Sequence, residues 1–311
     1  MSTKRKFTFN DFGLGTKPAG KGYRAVNKDG SFNIKKINVP LLYRLNFFHE
    51  LVTMSWLQFF STIILGYLLV NFLFATAYYY IGIEHLTGIR SAETSSQFME
   101  AFFFSAQTIT TLGYGQVAPI GLAANVVAAV ESLLGLLSFA LVTGLMYGRF
   151  SKPVSNIIYS QKGVIAPYRD INAFMFRIYN AQKNQLLEVE AEVSLSLQRD
   201  HSHLRDFYSL ELERSRVVFF PSVWTIVHPI DNNSPLLKLT KNDLLSRDAE
   251  FITTVKAYDE SSQNMVYSRS SYDATEISWG KKFKYLGKRD DNTLIIDVSG
   301  INETDSAALN N

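Results

Sequence analysis

At 311 residues, with 47% hydrophobic and 14% aromatic content and a formal net charge of +3, the chain carries too little positive charge for a nucleic-acid binder. Its mean hydropathy of +0.01 conceals an apolar half and a polar half that offset one another. Cysteine is absent, which excludes structural disulfides and thiolate metal sites.

Met1 to Gly30 is basic and glycine-punctuated and has no apolar h-region, so no cleavable signal peptide is expected. From Pro40 to Met54, Leu41, Leu42, Leu45, Phe47, Phe48, Leu51 and Met54 alternate with Arg44, Asn46, His49 and Glu50 at near-helical spacing. That pattern predicts an interfacial helix, or else the start of the helix that follows. Trp56 belongs at the headgroup level. Leu57 to Tyr80 is uncharged and long enough to cross a hydrocarbon core of ~30 Å. Ser95 or Ser96 then caps a predicted helix from Gln97 to Thr108, rich in phenylalanine and too short to span, which reads as a re-entrant half-helix. Ile120 to Gly148 is a second spanning run, interrupted only by Glu131 and closed by Arg149, Lys152 and Pro153.

Between the half-helix and the second span lies Thr110-Thr111-Leu112-Gly113-Tyr114-Gly115. Alone, Gly-Tyr-Gly also suits a tight turn or hairpin; the flanks favour a pore. Non-helical backbone at membrane depth is tolerated only where it lines a water-filled path or is buried in protein. An extended strand that aims consecutive carbonyls at one axis can replace the water shell of K+, provided alternate residues leave the right-handed regions. Gly113 and Gly115 reach positive φ at little cost, and Thr111 can add a hydroxyl oxygen. K+ sites are therefore expected at Thr111, Leu112, Gly113 and Tyr114, with the Tyr114 ring turned away to brace the strand against the half-helix. K+ enters as the permeant ion, and no cofactor is expected. The C-terminal dipole of the half-helix favours a cation in the cavity below it.

Lys17, Lys21, Arg24, Lys28, Lys35, Lys36 and Arg44 precede the first span, and Arg149, Lys152, Lys162 and Arg169 follow the second. The intervening loop sets Arg90 against Glu84 and Glu93, so both termini are expected in the cytoplasm, with the chain multi-pass in the inner (plasma) membrane. A two-helix hairpin cannot enclose an ion path, so several copies must assemble around an axis, fourfold for a filter of this type.

Beyond Asn156 the texture turns to short alternating stretches: 174–179, 187–197, 216–220, 224–228, 250–258, 264–269, 281–285 and 292–298. Period-two patterning with polar turns between predicts a β-sandwich. The expected domains are a cytoplasmic N-terminal segment (1–38), a membrane pore domain with its interfacial slide helix (39–153), a cytoplasmic β-sandwich regulatory domain (154–301) and a flexible tail (302–311). No nucleotide-binding loop, hydrolase elbow or metal quartet is found. His201 and His203 beside Asp200 and Asp206 read as a solvated turn before a metal site, and His228 near Asp231 as structural. No acid, base and nucleophile converge, so an enzyme is not expected. A membrane-anchored sandwich receptor or adhesin would explain both spans but neither the half-helix nor the strand after it.

From about Ser31 to Thr304 the chain resembles the prokaryotic inward-rectifier-type potassium channels, the KirBac family. The likeness is carried by the slide-helix region, Ala101-Phe102-Phe103-Phe104-Ser105 before the filter, Glu131-Ser132-Leu133-Leu134-Gly135 and Arg149-Phe150-Ser151-Lys152-Pro153. In the polar half it continues in Trp224-Thr225-Ile226-Val227-His228-Pro229-Ile230-Asp231, Ser234-Pro235-Leu236 and Ile277-Ser278-Trp279. The resemblance implies a two-span α-helical pore domain (slide helix, outer helix, pore helix, filter, inner helix) with an all-β immunoglobulin-like cytoplasmic sandwich, four copies of which form a homotetramer. It also implies an intersubunit contact between N-terminal and C-terminal segments.

Tyr147 falls where such channels carry a bulky ring at the lower constriction, so it reads as the gate, or else as an interfacial anchor. Phe139 and Thr143 are expected to line the pore. Strongly rectifying relatives carry an acid where Phe139 stands, and Phe139 cannot supply that charge to Mg2+ or polyamine blockers, although acids of the vestibule could. Gly135 and Gly144 serve either as hinges or as sites of close helix contact. Glu131, the one acid inside a span, resembles a buried support behind the filter. With Gln107 and Gln116 around the filter, neutral hydrogen bonds are expected to brace it. Arg149 and Lys152 are placed either to hold anionic lipids, phosphoinositide headgroups included and as inhibitors, or to set orientation alone.

Overall fold

The computed structural model describes residue 13 and residues 22–40, 46–89, 93–152, 155–199, 204–220 and 222–310. Its contacts divide the chain into two compact units, Asn38–Lys152 on the one hand and Met1–Ile37 with Pro153–Asn311 on the other. Leu41, Leu42, Arg44 and Leu45 of the predicted interfacial helix lie outside the described residues, as do Lys17, Lys21, Arg90, Pro153, Asp200, His201 and His203.

The first unit is helical. Helix α1 (Phe47–Thr53) begins at Asn46, whose side chain accepts from His49 N. A reciprocal cap then opens α2 (Trp56–Ile81): the Ser55 hydroxyl accepts from Gln58 N, and the Gln58 side chain accepts from Ser55 N. The 26 residues of α2 extend about 39 Å, and beyond the face that buries Phe59, Asn71, Ala75 and Tyr78 the helix exposes apolar side chains that suit lipid or a partner surface. Two short strands, β1 (Leu86–Thr87) and β2 (Ala118–Pro119), pair antiparallel and bracket the half-helix.

That half-helix, α3 (Thr94–Ile109), has 16 residues and a length of about 24 Å, short of a bilayer core. It starts after Glu93 with no side-chain cap, so Ser95 and Ser96 fall in its first turn rather than at its head. Helix α4 (Gly121–Phe150) supplies the second span, with 30 residues. Ala75, Tyr78, Leu86, Ala101 and Phe104 form the buried centre of this unit, where the rings of Tyr78 and Phe104 meet edge-on at 5.0 Å.

The second unit is a two-sheet sandwich. Its strands run β3 (Ile157–Tyr159), β4 (Gly163–Tyr168), β5 (Ile171–Asn180), β6 (Leu186–Gln198), β7 (Arg205–Leu210), β8 (Arg216–Phe219) and β9 (Val223–Ile230). Helix α5 (Lys241–Ser246) precedes β10 (Glu250–Asp259), β11 (Asn264–Asp273) and β12 (Ile277–Trp279). One sheet has the order β12-β4-β5-β3 with β9 also on β5; the other has β11-β10-β6-β7 with β8 also on β6. All pairings are antiparallel except β12 on β4. The inward residues of β6, from Val189 through Leu197 at every second position, are buried against Phe174 and Phe176 of the opposite sheet. Phe174 stacks on Phe251 of β10 at 4.3 Å across the gap.

Two predicted segments differ from expectation. Residues 302–310 are not a loose tail, because β16 (Thr304–Ser306) pairs with β13 (Lys281–Phe283). Asn310 exchanges hydrogen bonds with Asn172 at 2.9 Å in both directions and donates to Ile171 O at 2.7 Å, while Leu309 packs on the core. Between these strands β14 (Gly287–Asp290) and β15 (Thr293–Ile296) make a hairpin. The N-terminal segment is likewise not separate. Ala25 and Val26 donate their N–H groups to the Glu250 carboxylate at 3.0 and 3.1 Å, and the Arg24 guanidinium reaches Ser271 O at 2.6 Å and Glu276 at 3.1 Å. A contact between N-terminal and C-terminal segments is therefore present within this chain.

Candidate functional site

The backbone after α3 carries the most specific geometry. Thr111, Gly113 and Gly115 have φ of 58°, 50° and 80°, whereas Leu112 and Tyr114 between them do not enter that region. A left-handed residue at every second position turns successive peptides to a common side, the arrangement a strand of axial carbonyls requires. Thr111 adopts this conformation without the freedom of glycine, so its neighbours must hold it there. The strand is tied to α3 at its start, where Leu112 N and Gly113 N donate to Gln107 O at 2.9 and 3.3 Å. Neutral main-chain bonds therefore anchor the Gln107 region. The Tyr114 ring is 70% exposed in the single chain.

Behind the strand, Glu131 of α4 is fully buried. Tyr78 of α2 donates to its Oε2 at 2.6 Å, and Ser105 of α3 bonds its Oε1. The Ser105 hydroxyl also stands 3.1 Å from Asn71 Oδ1, and Asn71 Nδ2 donates to Tyr67 O at 2.7 Å. One buried polar set thus joins all three long helices of the unit. Sequence reading singled out Glu131 but missed Tyr78, Ser105 and Asn71. Asn71 was the visible signal, a lone amide in the middle of an uncharged span.

On another face of α4, Phe139, Thr143 and Tyr147 stand at intervals of one turn, and Phe139 and Tyr147 are each 75% exposed. The Thr143 hydroxyl bonds the helix's own Phe139 O at 2.9 Å, and Thr143 is exposed as well.

Residues 157–310 match the family model described as the inward rectifier potassium channel C-terminal domain, and residues 66–152 match the ion channel model. The inward rectifier potassium channel Kirbac3.1 of Paramagnetospirillum magnetotacticum is 35% identical over 273 residues, covering 86% of this chain and 91% of that one. The chain belongs to the inward rectifier potassium channel family. Two animal relatives are more distant: the ATP-sensitive inward rectifier potassium channel 12 of Bos taurus and the inward rectifier potassium channel 18 of Homo sapiens, each 26% identical and aligned over 90% of this chain. The alignments cover 71% and 70% of those two proteins. With two membrane-length helices in a family of ion channels, this inward rectifier relative is a membrane protein and not an enzyme.

At the end of α4 the structure sorts the two basic residues differently. Lys152 is exposed. Arg149 is not turned outward: its Nη1 and Nη2 donate to Leu51 O and Met54 O at 2.6 and 2.8 Å, closing the C-terminus of α1. Its guanidinium also lies 4.5 Å from the ring centres of Trp56 and Phe59. These bonds place two of the five guanidinium donors on main-chain carbonyls at the end of α1.

In the sandwich, His228 is buried, with Nδ1 on Glu211 O and Nε2 at 2.7 Å from Ser234 Oγ. A carbonyl at Nδ1 demands a proton there, so Nε2 accepts from the serine, and burial holds the imidazole below its usual pKa. This histidine is a structural joint. Burial pushes the Glu250 carboxyl up, against the pull of the Ala25 and Val26 amides and the nearby Arg205 and Arg24. Among the described residues no cluster of three metal-ligating side chains occurs.

Proposed function

We propose that this inward rectifier family member is one subunit of a homotetrameric channel that passes K+ passively through a filter made of residues Thr111 to Gly115. The observation that carries this reading is the alternation of left-handed backbone at residues 111, 113 and 115 directly after a half-helix too short to span. Thr111, Leu112, Gly113 and Tyr114 supply the carbonyl rings that replace the hydration shell of K+. Glu131 supports the filter from behind. The stripe of Phe139 and Thr143 lines the conduit, and four Tyr147 rings close it at the cytoplasmic end by bulk and dewetting. Uncovered faces on α2 and α4 and the exposed Tyr114 support assembly, because each needs a neighbouring copy or lipid to cover it.

The chain sits in the inner (plasma) membrane with both termini and the sandwich in the cytoplasm, where the sandwich modulates the gate. Exposed Lys152 meets anionic headgroups, phosphoinositides included. Phe139 offers no charge to Mg2+ or polyamines, so block by them is weak unless vestibule acids hold them. The deciding experiment is flux from purified protein in liposomes, K+ against Na+, with Ba2+ as blocker. K+-selective, Ba2+-sensitive flux is expected; equal passage of Na+ would overturn the reading.

A further inference from the structure

Glycine in a long apolar helix serves either to bend it or to let another backbone come close, and the surroundings of the α4 glycines separate the two uses. At Gly135 a Cβ would stand 2.0 Å from the main-chain oxygen of Ile109 and 2.8 Å from its carbonyl carbon. Helix α4 therefore rests on bare main chain at the last residue of α3. At Gly144 an added Cβ would meet nothing within 4 Å, and at Gly148 it would make ordinary contacts of 3.6 and 3.8 Å with Phe48 and Val52 of α1.

The contact at Gly135 has a companion one turn earlier. Glu131 bonds Ser105, and Gly135 meets Ile109, so both helices use positions four residues apart and run in the same direction across the contact. One point is a polar tie between side chains and the other a steric seat between backbones. The seat lies in the turn of α3 whose Gln107 oxygen anchors Leu112 N and Gly113 N. Whatever displaces that turn displaces the first carbonyls of the strand.

We propose that Glu131 and Gly135 form a two-point clamp on the end of α3, and that Gly135 is a positioning residue for ion discrimination rather than a bending point of α4. The inference rests on the K+ reading above and deepens it. A methyl group at 135 must drive the Ile109 carbonyl back by about 1 Å before the contact becomes tolerable. Side-chain rearrangement cannot absorb that movement, because the obstructing atoms are backbone. A filter that distinguishes ions through its coordinating carbonyls should feel it.

The test compares full-length protein in liposomes, wild type against Gly135→Ala, Ser105→Ala and Gly66→Ala, by the ratio of K+ to Na+ flux. Gly66 lies on α2 with nothing within 4 Å of an added Cβ and serves as the control for helix glycines in general. The expected result is a fall of at least tenfold in the ratio for Gly135→Ala, a smaller fall of a fewfold for Ser105→Ala, and the wild-type ratio for Gly66→Ala. Adding Ile109→Ala to Gly135→Ala should restore nothing. A Gly135→Ala channel with the wild-type ratio and an altered flux alone would overturn the proposal in favour of a hinge. Should Gly135→Ala not assemble, Ser105→Ala decides, and an unchanged ratio in it would overturn the clamp. If wild type itself fails to discriminate K+ from Na+, the K+ reading falls instead, so the two failures are distinct.

Discussion

Replacing Arg149 by lysine keeps the positive charge at the end of α4 and removes the planar fork. In the structure that fork makes two charge-assisted bonds, at 2.6 and 2.8 Å, to the carbonyls that end α1, and lies against Trp56 and Phe59. Hydrogen bonds to charged groups contribute about 1.5–3 kcal/mol each, and an exposed cation–π contact about 0.5–1 kcal/mol. An ammonium can satisfy one of the two carbonyls and not both. Taking the low end for a partly buried site, Arg149→Lys should weaken the seating of α1 by about 2 kcal/mol, or roughly thirtyfold in its local opening equilibrium. Hydrogen–deuterium exchange of the reconstituted full chain reads this directly: amides at the C-terminal end of α1 should lose protection, while those of α2 keep theirs. If Arg149→Lys matches wild type in exchange and flux while Arg149→Ala does not, charge alone matters at this position, and the cap assigned to its fork is wrong.

Other outcomes follow from the same bookkeeping of donors and acceptors. Glu131→Gln should retain selective flux, because an amide donates to Ser105 and accepts from Tyr78, whereas Glu131→Leu takes the acceptor from the buried Tyr78 hydroxyl and should lose assembled channel on size-exclusion chromatography, at about 1–3 kcal/mol for the unsatisfied group. Glu250→Ala removes the acceptor of Ala25 N and Val26 N, and trypsin should then cut at Arg24 and Lys28 at least tenfold faster than in wild type. His228 is held below its ordinary pKa, so it binds a proton more readily once unfolded. Its contribution is present above a pH of about 6.5 and is lost as pH falls toward the depressed value, by up to about 1.4 kcal/mol per pH unit. Urea unfolding of the sandwich followed at several pH values should show that slope in wild type and a flatter one in His228→Asn.

The spans, the half-helix and the left-handed strand after it were legible because their causes are local. Bilayer thickness sets a run length, and a left-handed backbone asks for glycine. The partners of Glu131 were not legible, since Ser105 and Tyr78 reach it only through the way three helices cross. Strand β4 escaped notice because Val164, Ile165 and Ala166 are buried in succession, which erases the period-two pattern that reveals a strand. The last ten residues looked loose by composition, yet Asn310 is held by Asn172, a partner 138 positions away. The bonds from Arg149 to Leu51 O and Met54 O were not legible either, because no sequence displays where main-chain carbonyls will stand.

The left-handed strand also constrains how the channel is made. In an isolated copy, residues 110–116 are exposed, Tyr114 at 70%. Hydrocarbon charges several kcal/mol for each polar main-chain group left without a partner, so a solitary protomer cannot hold this segment at membrane depth. On the tetrameric reading proposed above, biogenesis would bring neighbours together before, or while, that stretch takes its place in the bilayer.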